Sequence, residues 1–163
     1  CIHYAPMAIQ TPDNYEARAN LMWASSMAIN GVCPYGENTA WAVHPMEHEL
    51  SAFYDIAHGV GLAILTPFWM EYVLNEDTVW RFAEYGKNVW GILEGSDMEI
   101  AKEAIAKTKT FFASIGLPGS LHEIGIDETH FDVMAQKAAD GGLAYGFIPL
   151  NKEDVKKIFQ MAL

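Results

Sequence analysis

The sequence predicts an all-α protein, a single helical bundle that covers residues 1–163. Apolar residues recur three and four positions apart along most of the chain, the spacing that places them on one face of a helix. Residues that favour helix starts precede several of these segments, and glycine or proline follows them. The sequence contains no pair of segments with the alternation that a β-hairpin requires. A chain of this length can bury enough apolar surface to form one domain with a core.

The composition indicates which partners the chain can have. It is 51% hydrophobic and 19% charged, so we expect some apolar surface to face a partner. The 10 basic and 21 acidic residues give a net charge of -11, which argues against nucleic acid as a partner. The apolar run 56–70 is too short to span a bilayer and contains His58 and Pro67, so we expect no membrane segment. Cys1 and Cys33 form no disulfide pattern, which favours a reduced, cytoplasmic location.

Helix signals in the first third of the chain predict two helices and a loop. The stretch TPD at residues 11–13 offers a capping hydroxyl, a proline for the first helical position and an acid for the first turn. We expect a buried, aromatic-rich helix from there to Gly31. The proline and glycine in residues 33–38 predict a loop, after which Thr39 can cap the next helix.

The rest of the chain predicts five more helices, each bounded by capping residues or helix breakers. They cover residues 58–74; residues 75–85, with Asn75 as cap and breaks at Gly86 and Gly91; a long segment opened by the capping box of Ser96 and Glu99 and closed by Gly116 and Pro118; residues 127–139; and a last segment capped by Asn151, with Asp154 three residues later. The glycine-rich stretch 141–150 predicts an irregular loop.

Three of the six histidines lie in HPMEHELSAFYDIAH, residues 44–58. His44 and His48 are four residues apart, so on a helix they project from the same face. His58 follows a predicted helix break and can return to the same point from the start of the next helix. Imidazole nitrogens bind zinc and iron alike, so the pattern predicts a metal site without selecting the metal.

Two other interpretations stay open at this point. Histidines in a helical core often only hydrogen-bond a carbonyl group, and the chain would then be a non-catalytic helical interaction domain. Residues 44–48 also satisfy H-x-x-E-H, the zinc peptidase pattern in which Glu47 would serve as general base. That pattern needs an acidic third ligand, whereas this sequence offers His58, and Pro45 lies inside the motif.

The segment WAVHPMEHELSAFYDIAHGVGLAILTPFWM resembles the metal-binding signature of the iron-containing alcohol dehydrogenases. The resemblance is to the butanol dehydrogenase branch in particular, which uses NADPH to reduce aldehydes. Upstream, PDNYEARANLMWASSMAING is similar to the helix before that signature, and downstream GILEGSD, IGLPGSLHEIGI and KEDVKKIFQMA fit the same branch. The resemblance covers essentially the whole chain.

The resemblance implies that the chain is the helical, metal-binding half of a two-domain dehydrogenase. The metal, Fe²⁺ or possibly Zn²⁺, would be bound by His44 and His58 together with an aspartate and a histidine from an earlier helix. Those two earlier ligands should lie upstream of residue 1, which is not a methionine, so we expect a piece of a longer protein. The resemblance places His48 beside the metal, in substrate binding or proton relay.

The implied activity is the interconversion of primary alcohols and aldehydes with NADP(H) or NAD(H). The N-terminal nucleotide-binding domain would bind most of the dinucleotide, because this sequence contains no glycine-rich phosphate loop between a strand and a helix. The resemblance identifies no cofactor-binding residue here. We expect the chain to pack against that N-terminal domain, to form a homodimer in the complete enzyme, and to be inactive alone.

Overall fold

A computed structural model describes residues 1–33, 35, 41–143 and 147–163, and this part of the chain confirms the all-α fold. It contains eight α-helices, two 3₁₀ helices and no β-strand. None of the helices in these ranges could span a membrane. The helices are α1 (Tyr4–Gln10), α2 (Tyr15–Ile29), α3 (Val43–Tyr54), α4 (His58–Val73), α5 (Val79–Trp90), α6 (Asp97–Ser114), α7 (Phe131–Asp140) and α8 (Lys152–Met161), with 3₁₀ turns at His122–Ile124 and Glu128–His130.

One hydrophobic core joins α3, α4, α6, α7 and α8. Helix α3 packs against α4 and α7 and contributes the fully buried Met46 and Leu50. The rings of Phe131 and Phe159, 5.3 Å apart, join α7 to α8. Because α4 is apolar on nearly all sides, it lies within the core rather than along its edge. This packing fixes α3 and the start of α4, the two elements that carry the histidine cluster.

The capping box predicted for α6 and the Asn151 cap predicted for α8 are confirmed. The Ser96 hydroxyl accepts from the Glu99 amide at 3.4 Å, and the Glu99 carboxylate accepts from the Ser96 amide at 2.8 Å. Asn151 and Asp154 form the same reciprocal pair at the start of α8. These motifs involve residues three positions apart, so the local sequence determines them.

The predicted helix start at residues 11–13 is wrong. Helix α1 precedes it, and Thr11 ends α1 instead of capping α2. The cap of α2 is Asn14, whose side-chain oxygen accepts from the Ala17 amide at 3.0 Å. Asparagine is a stronger cap than threonine, and it lies next to the helical residues.

The prediction that this second helix is buried is also wrong in the described structure. Helix α2 buries only Ala17, while Tyr15 is 84% exposed and Trp23 is 69% exposed. The helix packs mainly against α1. Helical spacing places apolar residues on one face, but it does not provide the surface that covers them.

The predicted break at Gly86 is wrong as well. Helix α5 continues through Gly86 to Trp90 and ends at the left-handed Gly91, where the sequence also predicts a break. The N-cap position of α5 is Thr78, which makes no side-chain cap bond. The Asn75 side-chain oxygen caps the turn just before it, where it accepts from two backbone amides at 2.8 and 3.2 Å. A Cβ atom on Gly86 would lie 2.6 Å from Cγ2 of Ile100, so this glycine allows α5 and α6 to approach closely. The predicted cap Thr39 lies outside the described residues, as does part of the predicted loop 141–150.

Candidate metal centre

The reversal between α3 and α4 brings the histidines together. Asp55 ends α3 in the left-handed conformation, with φ 53° and ψ 37°. The Ser51 side-chain oxygen lies 3.1 Å from the Ile56 carbonyl oxygen, at the exit of the helix. Helix α4 then begins at His58, as the sequence predicts. The first turn of α4 therefore lies against the surface of α3.

The three imidazoles form one cluster. The ring centroid of His58 lies 5.2 Å from that of His44 and 5.3 Å from that of His48. The centroids of His44 and His48 are 6.1 Å apart, although both belong to α3. His44 is half-buried, whereas His48 and His58 are exposed. The structure thus brings all three predicted site residues to one place.

Two of these centroid separations are those of imidazoles around one divalent metal ion, although the donor atoms that lie within 4.8 Å of one another belong to Glu47, His48 and His58 and not to His44. Two imidazoles bound to one tetrahedral zinc, with Zn–N bonds of about 2.1 Å, have ring centroids roughly 5.4 Å apart. The two pairs that include His58 match this separation, and the pair of His44 with His48 is wider. His58 is therefore the residue shared by both pairs that fit. Nitrogen donors of this kind suit zinc and ferrous iron.

Glu47 lies beneath this cluster. Its side chain is fully buried, and its Oε1 accepts a 2.6 Å hydrogen bond from the Ser51 hydroxyl. Its Oε2 is hydrogen-bonded to Nδ1 of His58. Donor atoms of Glu47, His48 and His58 all lie within 4.8 Å of one another. Because both oxygens of Glu47 are bonded to protein groups, it is poorly placed to act as a peptidase general base, which must reach a water molecule.

A cleft of about 320 Å³ opens beside the cluster. Its walls come from the start of α3 and the end of α7 and consist of Trp41, His44, Pro45, His48, Glu49, Lys137 and Gly141. The Lys137 ammonium group lies 3.8 Å from the Glu49 carboxylate. The Trp41 ring meets the His44 ring edge-on, with centroids 4.4 Å apart. The cleft is therefore open to a small molecule at the imidazoles of α3.

The electrostatics of the cleft favour a neutral His44. Burial lowers the pKa of His44, electrostatic interactions with the neighbouring imidazoles of His58 and His48 lower it further, and Glu47 opposes the shift. A histidine binds a metal through the lone pair of its neutral ring. The shift therefore favours the protonation state that a ligand needs.

The sequence pattern indicates the three histidines, but it indicates Glu47 only as the acid of a peptidase motif. The signal for its actual contacts is Gly61, one turn after His58. A Cβ atom there would lie 2.6 Å from Cγ of Glu47, so only glycine leaves room for the carboxylate beneath α4.

The fold is an all-helical bundle in which three imidazoles meet at one helix reversal. The model of the Fe-containing alcohol dehydrogenase family, C-terminal, matches residues 1–163. The chain belongs to this family, as the sequence resemblance predicts.

Curated relatives support the same branch of the family. NADH-dependent butanol dehydrogenase B of Clostridium acetobutylicum is 54% identical over the whole chain, which spans 43% of that protein. The NADPH-dependent aldehyde reductase of Escherichia coli is 38% identical over 87% of the chain, which spans 36% of that protein. The crystal structure of NADH-dependent butanol dehydrogenase A from Thermotoga maritima superposes with a TM-score of 0.90 at 36% identity, covering 99% of this chain and 42% of the other. The chain thus spans less than half the length of these relatives.

Proposed function

We propose that this chain is the metal-binding catalytic domain of an iron-dependent alcohol dehydrogenase or aldehyde reductase. The substrates would be primary alcohols and aldehydes, and the cofactor NAD(H) or NADP(H), since relatives with both dependences are similar to it. The observation that carries the proposal is the convergence of three imidazoles at the reversal between α3 and α4, beside an open cleft.

Each histidine has a proposed role. His44 and His58 would hold the metal, Fe²⁺ or Zn²⁺, with centroids 5.2 Å apart. His48 is exposed at the cleft and lies 5.3 Å from His58, where it can exchange a proton with a bound alcohol or aldehyde. When bound, the metal supplies a Lewis acid for the alcohol or aldehyde oxygen, and the nicotinamide exchanges the hydride.

The remaining parts of the enzyme would come from an N-terminal nucleotide-binding domain and a second subunit. Two observations support this part of the proposal. The chain spans 43% of the Clostridium acetobutylicum relative, so more than half of that enzyme has no counterpart here. Helix α2 also exposes large apolar side chains such as Met22 and Trp23, which fits a surface that another part of the enzyme covers.

A chimera tests the proposal. The N-terminal portion of the Clostridium acetobutylicum butanol dehydrogenase B, joined to this chain, should catalyse butanol-dependent reduction of NAD⁺ when loaded with iron or zinc. This chain alone should show no such activity. A folded, metal-loaded chimera without activity, or turnover by the isolated chain, would contradict the domain assignment.

Alanine variants of the chimera separate the three roles. His44→Ala and His58→Ala should lose metal and activity together, because each removes a nitrogen donor. His48→Ala should keep its metal and lose about 10²-fold to 10⁴-fold in turnover, the usual contribution of a positioned proton donor. The exposed His122 on the first 3₁₀ turn provides a control, and His122→Ala should change neither quantity. If His48→Ala sheds metal as fully as His44→Ala, the two histidines of α3 are paired ligands instead.

A further inference from the structure

We propose that Glu47 is a positioning residue that holds His58 through Nδ1 and leaves Nε2 as the nitrogen that binds the metal. This inference rests on the proposed role of His58 as a ligand. It concerns a residue that would touch neither metal nor substrate and would act through the imidazole of His58.

The burial of Glu47 is the first observation. Its side chain has no exposed surface, and a carboxylate removed from water is costly unless hydrogen bonds satisfy it. The Ser51 hydroxyl bonds Oε1 at 2.6 Å, and His58 Nδ1 bonds Oε2. Both oxygens therefore have a partner within the protein, which favours a supporting role over metal ligation.

Helix packing creates the space for this carboxylate. Glu47 projects from α3 beneath the first turn of α4, where Gly61 faces it. A Cβ atom on Gly61 would lie 2.6 Å from Cγ and 2.8 Å from Oε1 of Glu47. Real side chains do not approach so closely, so Glu47 can occupy this position only because residue 61 is glycine.

His58 needs such a partner. It is the first residue of α4, and its side chain is 46% exposed, so burial alone does not fix its ring orientation. A carboxylate that accepts from Nδ1–H fixes both the ring orientation and the tautomer of a ligating histidine, and it increases the basicity of the other nitrogen. Ser51 bonds the opposite oxygen and so restrains Glu47 in turn.

The tautomer of His58 gives a direct test in this chain without metal. Nitrogen NMR of ¹⁵N-histidine-labelled protein at about pH 8, where a free imidazole is neutral, distinguishes Nδ1–H from Nε2–H. We expect Nδ1–H for His58 in the wild type and a mixture of tautomers in Glu47→Gln, because the glutamine amide can present either its oxygen or its NH₂ group to Nδ1. Wild-type His58 in the Nε2–H form would overturn the inference, whether or not the variant folds.

Zinc titration of this chain, followed by calorimetry, gives the second measurement. Loss of an orienting partner typically lowers metal affinity about 10-fold to 100-fold, and we expect this decrease for Glu47→Gln and a smaller one for Ser51→Ala. Glu71→Gln is the matched control, because it removes one exposed carboxylate of α4 away from the cluster and should leave the affinity unchanged. Circular dichroism confirms that each variant remains helical.

Two results would overturn the inference without affecting the proposed dehydrogenase activity. Equal zinc affinity of the wild type and Glu47→Gln would show that the contact with His58 does not position the ligand. Loss of zinc as complete as that in His58→Ala would show that Glu47 is itself a ligand. This is the main alternative, because an oxygen of Glu47 and donor atoms of His48 and His58 lie within 4.8 Å of one another. The dehydrogenase activity is decided separately, by turnover of the chimera.

Discussion

Replacement of Gly61 by alanine tests how closely α3 and α4 must approach. The added Cβ would lie 2.6 Å from Cγ of Glu47, nearer than real Cβ atoms approach a neighbour. Cγ is close to the backbone of α3, and Ser51 and His58 hold the carboxylate beyond it. The side chain therefore cannot rotate away without breaking those hydrogen bonds, and we expect the helices to separate or the contacts of Glu47 to be lost.

Gly59, in the same turn of α4, provides a reference for the effect of a methyl group at Gly61. A Cβ on Gly59 would meet nothing within 4 Å. Alanine in place of glycine favours a helix by up to about 1 kcal/mol, so Gly59→Ala should stabilise the chain slightly. Gly61→Ala gains the same propensity term but loses about 1–3 kcal/mol to overpacking. The two variants should therefore differ by about 1–3 kcal/mol in their free energy of unfolding, with Gly61→Ala the less stable.

Urea denaturation monitored by circular dichroism measures this difference. Equal m-values for the two variants would show that the change lies in stability rather than in the compactness of the unfolded state. Zinc affinity should fall in Gly61→Ala and not in Gly59→Ala, because only the first displaces Glu47. Equal free energies of unfolding would refute the reasoning, since they would mean that α3 and α4 can accommodate a methyl group between them.

Three further predictions follow from other parts of the structure. Gly86→Ala should lower the free energy of unfolding by about 1 kcal/mol or more in urea denaturation, because its Cβ would lie 2.6 Å from Cγ2 of Ile100, and equal stability would contradict the close contact of α5 with α6. Tyr72→Phe should cost about 1–2 kcal/mol by the same assay at neutral pH, through loss of the 2.7 Å hydrogen bond to Asp154. That hydrogen bond raises the pKa of Tyr72 to about 12 from 10.0. Its contribution to stability is therefore fully present below the pKa of tyrosine in the unfolded chain, and it is lost as the pH rises through about 12. Titration of tyrosinate absorbance should show one group fewer near pH 12 in the variant. Dialysis of the zinc-loaded chain against a chelator should remove its metal, because only two of the four ligands implied for the intact enzyme lie in this chain. If elemental analysis finds that zinc is retained stoichiometrically, the chain has a further ligand, and His48 is the first candidate.

The parts of the fold that the sequence predicts correctly are determined locally. Ser96 and Asn151 cap their helices together with residues three positions later, and the structure has both caps as predicted. The start of α4 at His58 is also local, because the left-handed Asp55 and the extended Ala57 precede it. Such features depend on a few consecutive residues, which sequence patterns record directly.

The wrong predictions concern contacts between distant segments. Glycine is a poor helix former, so the sequence predicts a helix break at Gly86, but the contact with Ile100 requires a residue without a side chain at that position. The large apolar residues of α2, such as Trp23, were expected to be buried, and the described structure leaves them exposed. A periodic pattern specifies which residues share a face, and only the tertiary structure specifies what packs on that face.

The arrangement of the three histidines depends both on local spacing in the sequence and on contacts between distant segments. Spacing along α3 makes His44 and His48 the natural ligand pair, since residues four apart lie on one face. In the structure their ring centroids are 6.1 Å apart, farther than either is from His58 on the next helix. The reversal after Asp55 and the space left by Gly61 produce those shorter distances. Because His58 alone completes both pairs that fit one metal ion, displacement of α4 should affect metal binding more than any change in the spacing of the two histidines on α3.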